Sequence, residues 1–193
     1  SSVDILASWL QDESRFEKEL SNVYKIWLEY LNPYWSENPW SRALEGKKVL
    51  VVHPFVDSIQ KQYKKRAFLH KHPQTLPDFD LKTIKAVQGI GGVCNEGFKD
   101  WFDAFEYMKA EINKSNYDIC ILGCGAYGFP LAAHVKRMGK KAIHMGGATQ
   151  MLFGIKGKRW EDEYGEFMNE HWIRPSKEET PINAMKIENG CYW

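Results

Sequence analysis

Residues 117–147, YDICILGCGAYGFPLAAHVKRMGKKAIHMGG, carry the pattern that decides the fold. YDICILG (117–123) is a short apolar run of the kind that forms a strand covered on both faces. The turn Gly123-Cys124-Gly125-Ala126-Tyr127-Gly128 follows, then a helix from Phe129 to Met138 that Gly139 stops. KKAIHMG (140–146) is the next strand. Strand, tight turn, helix and strand in this order predict two parallel strands joined by a right-handed crossover.

The same alternation extends in both directions. KKVLVVHPF (47–55) is a valine-rich buried strand, after which Asp57 offers a helix N-cap with Gln60 three residues on. A polar helix is expected through SIQKQYKKRAFLHK (58–71). DLKTIKAV (80–87) is a further strand, ending in Gln88, Gly89, Gly91 and Gly92. Residues 98–114 form the clearest helix, with Phe98, Trp101, Phe102, Phe105, Met108 and Ile112 assigned to one face. GATQMLFG and a basic GIKGKRW come after 146, and a helix is expected around Glu161–Glu170. The fold class is therefore α/β: a Rossmann-like three-layer sandwich with a mainly parallel sheet of at least four strands. It spans 46–172. Residues 1–45 read as a lead of short helices and loops, with Leu6, Trp9 and Leu10 and then Phe16, Leu20, Val23, Tyr24, Trp27 and Leu28 at helical spacing, broken at Pro33 and Pro39. Residues 173–193 read as an irregular tail packed on the domain.

The chain has 193 residues, enough for one full core. Lys+Arg number 26 against 25 Asp+Glu, a net charge of +1, which argues against nucleic acid as a partner. No apolar run reaches the length of a membrane span and the first 30 residues lack a signal-peptide core, so the expected location is the cytoplasm. Cys94, Cys120, Cys124 and Cys191 form no CxxC pair and are expected to stay reduced.

Ligands of open parallel sheets bind beyond the carboxyl ends of the strands. Gly123, Gly125 and Gly128 stand there as a G-x-G-x-x-G, where backbone N–H groups can approach a phosphate; the alternative is that they serve only the turn and close helix packing. Gly146, Gly147 and Thr149, followed by Lys156, Lys158 and Arg159, suit a diphosphate; the alternative is a solvated basic turn. His53 and His144 end buried-type strands and are the candidate catalytic side chains. His70, His72, His134 and His171 read as surface or helix-face residues, and Glu96 as a cap or a site residue. A dinucleotide site would want an acid at the end of the next strand, where Ile143-His144-Met145-Gly146 has none. LGCGAYG also looks like the first motif of S-adenosylmethionine methyltransferases, yet that motif opens a sheet, and here it follows the third strand.

HPFVDSIQKQY, LKTIKAVQ, FKDWFDAFEYMK, the stretch YDICILG to GIKGKRW and the terminal CYW together resemble a bacterial protein family encoded among genes for surface-polysaccharide assembly. The resemblance covers most of 37–193. Residues 117–147 further resemble the C-terminal half of the GT-D glycosyltransferase fold, DUF1792 type. This implies a nucleotide-sugar donor as co-substrate, a saccharide acceptor, and transfer of the sugar to a hydroxyl. Enzymes of that fold carry an Asp-x-Glu metal motif in an N-terminal half. Residues 1–45 have only Asp12-Glu13, in other surroundings, so no metal ligand or general base carries over. The expected function is a nucleotide-sugar-dependent glycosyltransferase, or its nucleotide-binding half. The alternatives are a non-catalytic accessory protein of a polysaccharide cluster and an enzyme using S-adenosylmethionine or NAD on the same loop. Trp27, Trp101, Phe102 and Phe105 are assigned to helix faces, leaving Trp35, Trp40, Trp160 and Trp172 to line a sugar cleft.

Overall fold

A computed structural model describes residues 2–89 and 97–193. Its centre is a four-stranded sheet of β3 (Lys48–His53), β4 (Asp80–Lys85), β5 (Ile119–Leu122) and β6 (Lys141–His144). The spatial order is β4-β3-β5-β6 and every pairing is parallel. The four strands fall where the apolar runs predict them. Val49 to Val52 of β3 are fully buried because both faces of the sheet are covered. Val49 and Val51 pack with Ile59 and Tyr63 of α1 (Val56–Tyr63), and with α4 (Ala148–Leu152) and α5 (Lys158–Tyr164). Leu50 and Val52 pack with Met108 and Ile112 of α2 (Trp101–Lys114) and Leu131 and Val135 of α3 (Gly128–Arg137). This is the three-layer α/β sandwich.

The strand order positions the site. From β3 the chain moves outward to β4, then returns past β3 to β5, so the carboxyl ends of β3 and β5 part in opposite directions. Such a switch point leaves a crevice that helices do not fill.

Local expectations depart in five places. The helix expected over 58–71 is α1, which begins at Val56 and ends at Tyr63, with a separate 3-10 turn at Arg66–Phe68. The lead is not a run of α-helices. β1 (Ile5–Ser8) and β2 (Tyr24–Trp27) pair in parallel, and 3-10 turns cover Gln11–Phe16, Leu28–Leu31, Pro33–Trp35 and Trp40–Leu44. A helix this short needs a partner for its apolar stripe, and Trp9, Phe16 and Trp27 remain 66%, 58% and 71% exposed. On α2, Phe102 is 70% exposed and the small Ala104 takes its place inside. At 100° per residue, 104, 108 and 112 share a centre from which 102 is turned away. The last helix begins at Lys158 and ends at Tyr164, earlier than the expected 161–170.

Finally, Asp57 does not cap α1. The cap is the carboxylate of Glu179, 122 residues on, which accepts the N–H of Asp57 at 2.8 Å and of Ser58 at 3.2 Å. The same carboxylate bonds the Ser58 hydroxyl and the N–H of Ser176. Glu179 is 4% exposed, so its charge is stabilised by these donors and by the positive end of the helix. It ties the tail to the sheet's first helix. Replacing it orphans several buried donors at once. Glu179→Ala will lower the unfolding free energy by about 2–4 kcal/mol and Glu179→Gln by less, read from the midpoint of urea denaturation.

Candidate functional site

A cavity of about 530 Å³ opens at the switch point. Its floor comes from the end of β3 (His53 to Phe55) and the turn after β5 (Gly123 to Tyr127). Ala86 to Gly89 after β4 and Phe98 to Trp101 at the start of α2 form one side. The tail supplies Ile187, Tyr192 and Trp193 on another. Residues 90–96, with the expected Gly91, Gly92 and Glu96, lie outside the described residues.

His53 is 2% exposed. Its Nδ1 accepts the N–H of Phe55 at 3.0 Å, so the ring proton sits on Nε2. Burial pushes its pKa down to about 3. At neutral pH the ring is a neutral donor, ill suited to take a proton. Gly123 lies against it: a Cβ there would stand 2.5 Å from His53 Cδ2 and 2.6 Å from Thr149 Oγ1. Gly125 is required for another reason, a left-handed φ of +55° with open space around it. The third glycine of the motif faces away from the cavity. A Cβ on Gly128 would run 2.3 Å from the His144 ring, so its role is to admit that histidine under α3.

The structure therefore separates the two candidate histidines. His144 does not line the cavity; its Nδ1 lies 3.3 Å from the Leu122 carbonyl and its ring edge faces Phe129. Burial lowers its pKa, offset in part by that carbonyl. The expected phosphate clamp is also dispersed. Thr149 is fully buried behind Gly123. Gly147 borders the cavity and Gly146 does not; Gly146 holds a φ of +57°. Lys156, Lys158 and Arg159 line no part of the cavity. Arg159 is engaged with Glu188 and with the Tyr192 hydroxyl at 3.2 Å. Of the basic turn, Arg159 is the side chain that fastens the tail.

Other groups take those places. The N–H groups of Cys124, Gly125 and Ala126 donate to no acceptor among the described residues: the 3-10 turn Gly125–Tyr127 begins there, and its first bond runs from the Tyr127 N–H to the Cys124 carbonyl. Three successive N–H groups without a protein acceptor are the kind of feature that suits an anion. Lys99 is the cation and Asp100 the carboxylate among the described lining residues. Asp100 also caps α2, accepting the Asp103 N–H at 2.9 Å. Burial pushes the Cys124 thiol up to about 12, so it is no nucleophile at neutral pH.

The walls are aromatic. Trp101 stacks on Tyr127 with centroids 4.9 Å apart and on Phe105 at 5.1 Å. Trp193 meets Phe55 edge-on at 6.0 Å and Tyr192 at the same distance. Trp101 was assigned to the core, and it lines the cavity. Trp160 and Trp172, assigned to a cleft, are 7% and 4% exposed in the core. Trp35 packs on Tyr164 and Phe167, and Trp40 donates to the Leu31 carbonyl. Lys99 and Asp100 were not expected in the site, and Tyr192 and Trp193 had no expected role there; the Gln150 amide was expected among the donors of the GGATQ loop. An acid directly before the first residue of α2 was the signal for Asp100. Compared with protein-family models, curated proteins and solved structures, the chain matches none of them.

Two measurements check this geometry. The unfolded imidazole protonates near pH 6.5 and His53 in the fold near 3, so the unfolded state binds the extra proton between them. Stability is then full above pH 6.5 and falls as the pH drops toward 3. Between pH 7 and 5 the protein will lose roughly 2 kcal/mol through this group, and His53→Asn will lose correspondingly less in paired denaturation curves. His70 and His144 shift in the same direction, so the variant's loss is smaller and not zero. Gly123→Ala will cost about 1–3 kcal/mol by overpacking, and Gly125→Ala about 1–2 kcal/mol by backbone strain.

Proposed function

We propose that the chain binds a nucleotide sugar in the switch-point cavity and serves glycosyl transfer. The observation that carries this reading is the run of three free N–H groups at Cys124, Gly125 and Ala126, opening on a cavity with aromatic walls. Backbone donors suit a phosphate, and aromatic faces and edges suit a base or a sugar ring. A cavity of about 530 Å³ is in the range of small-molecule sites. Lys99 adds one positive charge near the diphosphate. The resemblance of residues 117–147 to a glycosyltransferase half-fold supports the choice of a sugar donor.

In such a transfer the bond from the anomeric carbon to the diphosphate oxygen breaks while an acceptor hydroxyl forms the new one. Donors at Cys124 to Ala126 would stabilise the charge that grows on the departing diphosphate. Asp100 would take the acceptor's proton. The described residues do not offer the paired acids that a divalent cation on a diphosphate would use: Asp100 stands alone among the lining carboxylates. No step here runs through a metal.

The second reading, an accessory binding protein without catalysis, is favoured by the neutral His53. One set of measurements separates them. Thermal-shift titration with UDP, GDP, CMP, NAD and S-adenosylmethionine, with and without Mn²⁺, will show stabilisation by a nucleoside diphosphate, about 2.7 kcal/mol at a hundred times its dissociation constant. No response to any of them defeats the nucleotide reading. Asp100→Asn will keep that binding and stop release of the diphosphate from its sugar ester. Undiminished release removes Asp100 from the mechanism, and no release from the parent protein selects the accessory reading.

A further inference from the structure

Two side chains at the floor of the cavity are almost wholly buried, and each keeps one polar function unused. His53 is 2% exposed and Gln150 1%, and both line the cavity. The Gln150 Nε2 group donates to the carbonyls of Ile155, Lys156 and Tyr192, at 3.4, 3.2 and 3.2 Å. Three carbonyl partners decide which end of the amide is nitrogen. Its Oε1 has no donor among the described residues. His53 Nδ1 is taken by Phe55, which leaves Nε2–H equally unpaired. Thr149 Oγ1, Gln62 Oε1, Thr75 Oγ1 and Tyr117 OH are orphan atoms fully enclosed by protein; the two cavity atoms are not of that kind. Buried donors and acceptors are nearly always paired, and a free pair in a cavity marks where a ligand group sits.

Both border the same cavity. Thr149, which precedes Gln150, and His53 both approach within 2.6 Å of the point where a Gly123 Cβ would stand. Their chemistry is selective. A phosphate or carboxylate oxygen would accept from His53 and then face the lone pairs of Gln150 Oε1. An ammonium group would satisfy Gln150 and oppose the His53 N–H. A hydroxyl accepts from one and donates to the other.

We propose that His53 and Gln150 form a hydroxyl-reading subsite that takes a sugar ring of the ligand, either its ribose or the transferred sugar. This rests on the nucleotide-sugar reading above and orients it: phosphates on the N–H groups of Cys124 to Ala126, sugar hydroxyls on the floor. His53 is a positioning donor in this arrangement.

Calorimetric titration of the intact protein with UDP, GDP, their 2′-deoxy counterparts and UDP-glucose tests it. If the ribose sits on the floor, the deoxy compounds bind about tenfold more weakly or worse. If the transferred sugar sits there, UDP-glucose binds about tenfold more tightly than UDP or better. His53→Leu should erase whichever difference appears, and His53→Asn, which keeps a donor, should retain part of it. Nucleotide binding with both ratios within about twofold overturns the subsite and leaves the nucleotide reading intact. No nucleotide binding defeats the nucleotide reading. The subsite then stands only if millimolar ribose or glucose moves the His53 Nε2–H resonance, and an unmoved resonance overturns it as well.

Discussion

Everything in this molecule follows from the position of β3. It is paired along both edges and fully buried on both faces from Val49 to Val52. A backbone so enclosed must hand its N–H and C=O groups to β4 on one side and β5 on the other. Helices must then cover both faces, and the chain must reverse direction at its carboxyl end. The cavity is the space left by that reversal. The residues leaving β3, His53 to Phe55, have no choice but to form its floor.

The close approach at Gly123 is the second consequence. The strand next to β3 must turn away within one residue of His53, and only a glycine fits between that ring and Thr149. Dryness follows from tight packing, and dryness keeps the imidazole neutral. The catalytic role that its strand-end position suggested is thus removed by the same packing that puts it at the cavity, and what remains is a fixed N–H.

β3, β5, α2 and α3 were legible because burial on two faces writes an unbroken apolar run, and a helix face writes a spacing of three and four; the half-buried edge strands β4 and β6 were legible from their place in the alternation. The glycine turn was legible for the same local reason. The lead departs from its helical spacing: Val23 is buried, whereas Trp9, Phe16 and Trp27 stay exposed, so no continuous apolar stripe is covered there. The site was legible only in part. Gly123, Gly125 and His53 sit where the strand ends put them, whereas Lys156, Lys158 and Arg159 lie off the cavity and Arg159 is engaged by the tail, whose path depends on contacts more than a hundred residues apart. Trp101 shows the limit well. Its helical phase is right, and its neighbours leave it at the rim of a cavity that no spacing along one helix reveals.

Glu179 joins two ends of this structure. Its carboxylate closes the first turn of α1 on one side, and on the other its backbone carbonyl accepts the indole N–H of Trp193 at 3.1 Å. One residue therefore touches both the aromatic wall of the cavity and the beginning of the sheet's first helix. A tail that swung out to admit a ligand would uncap that helix as it went, so opening the cavity's doorway would cost the protein part of its cohesion.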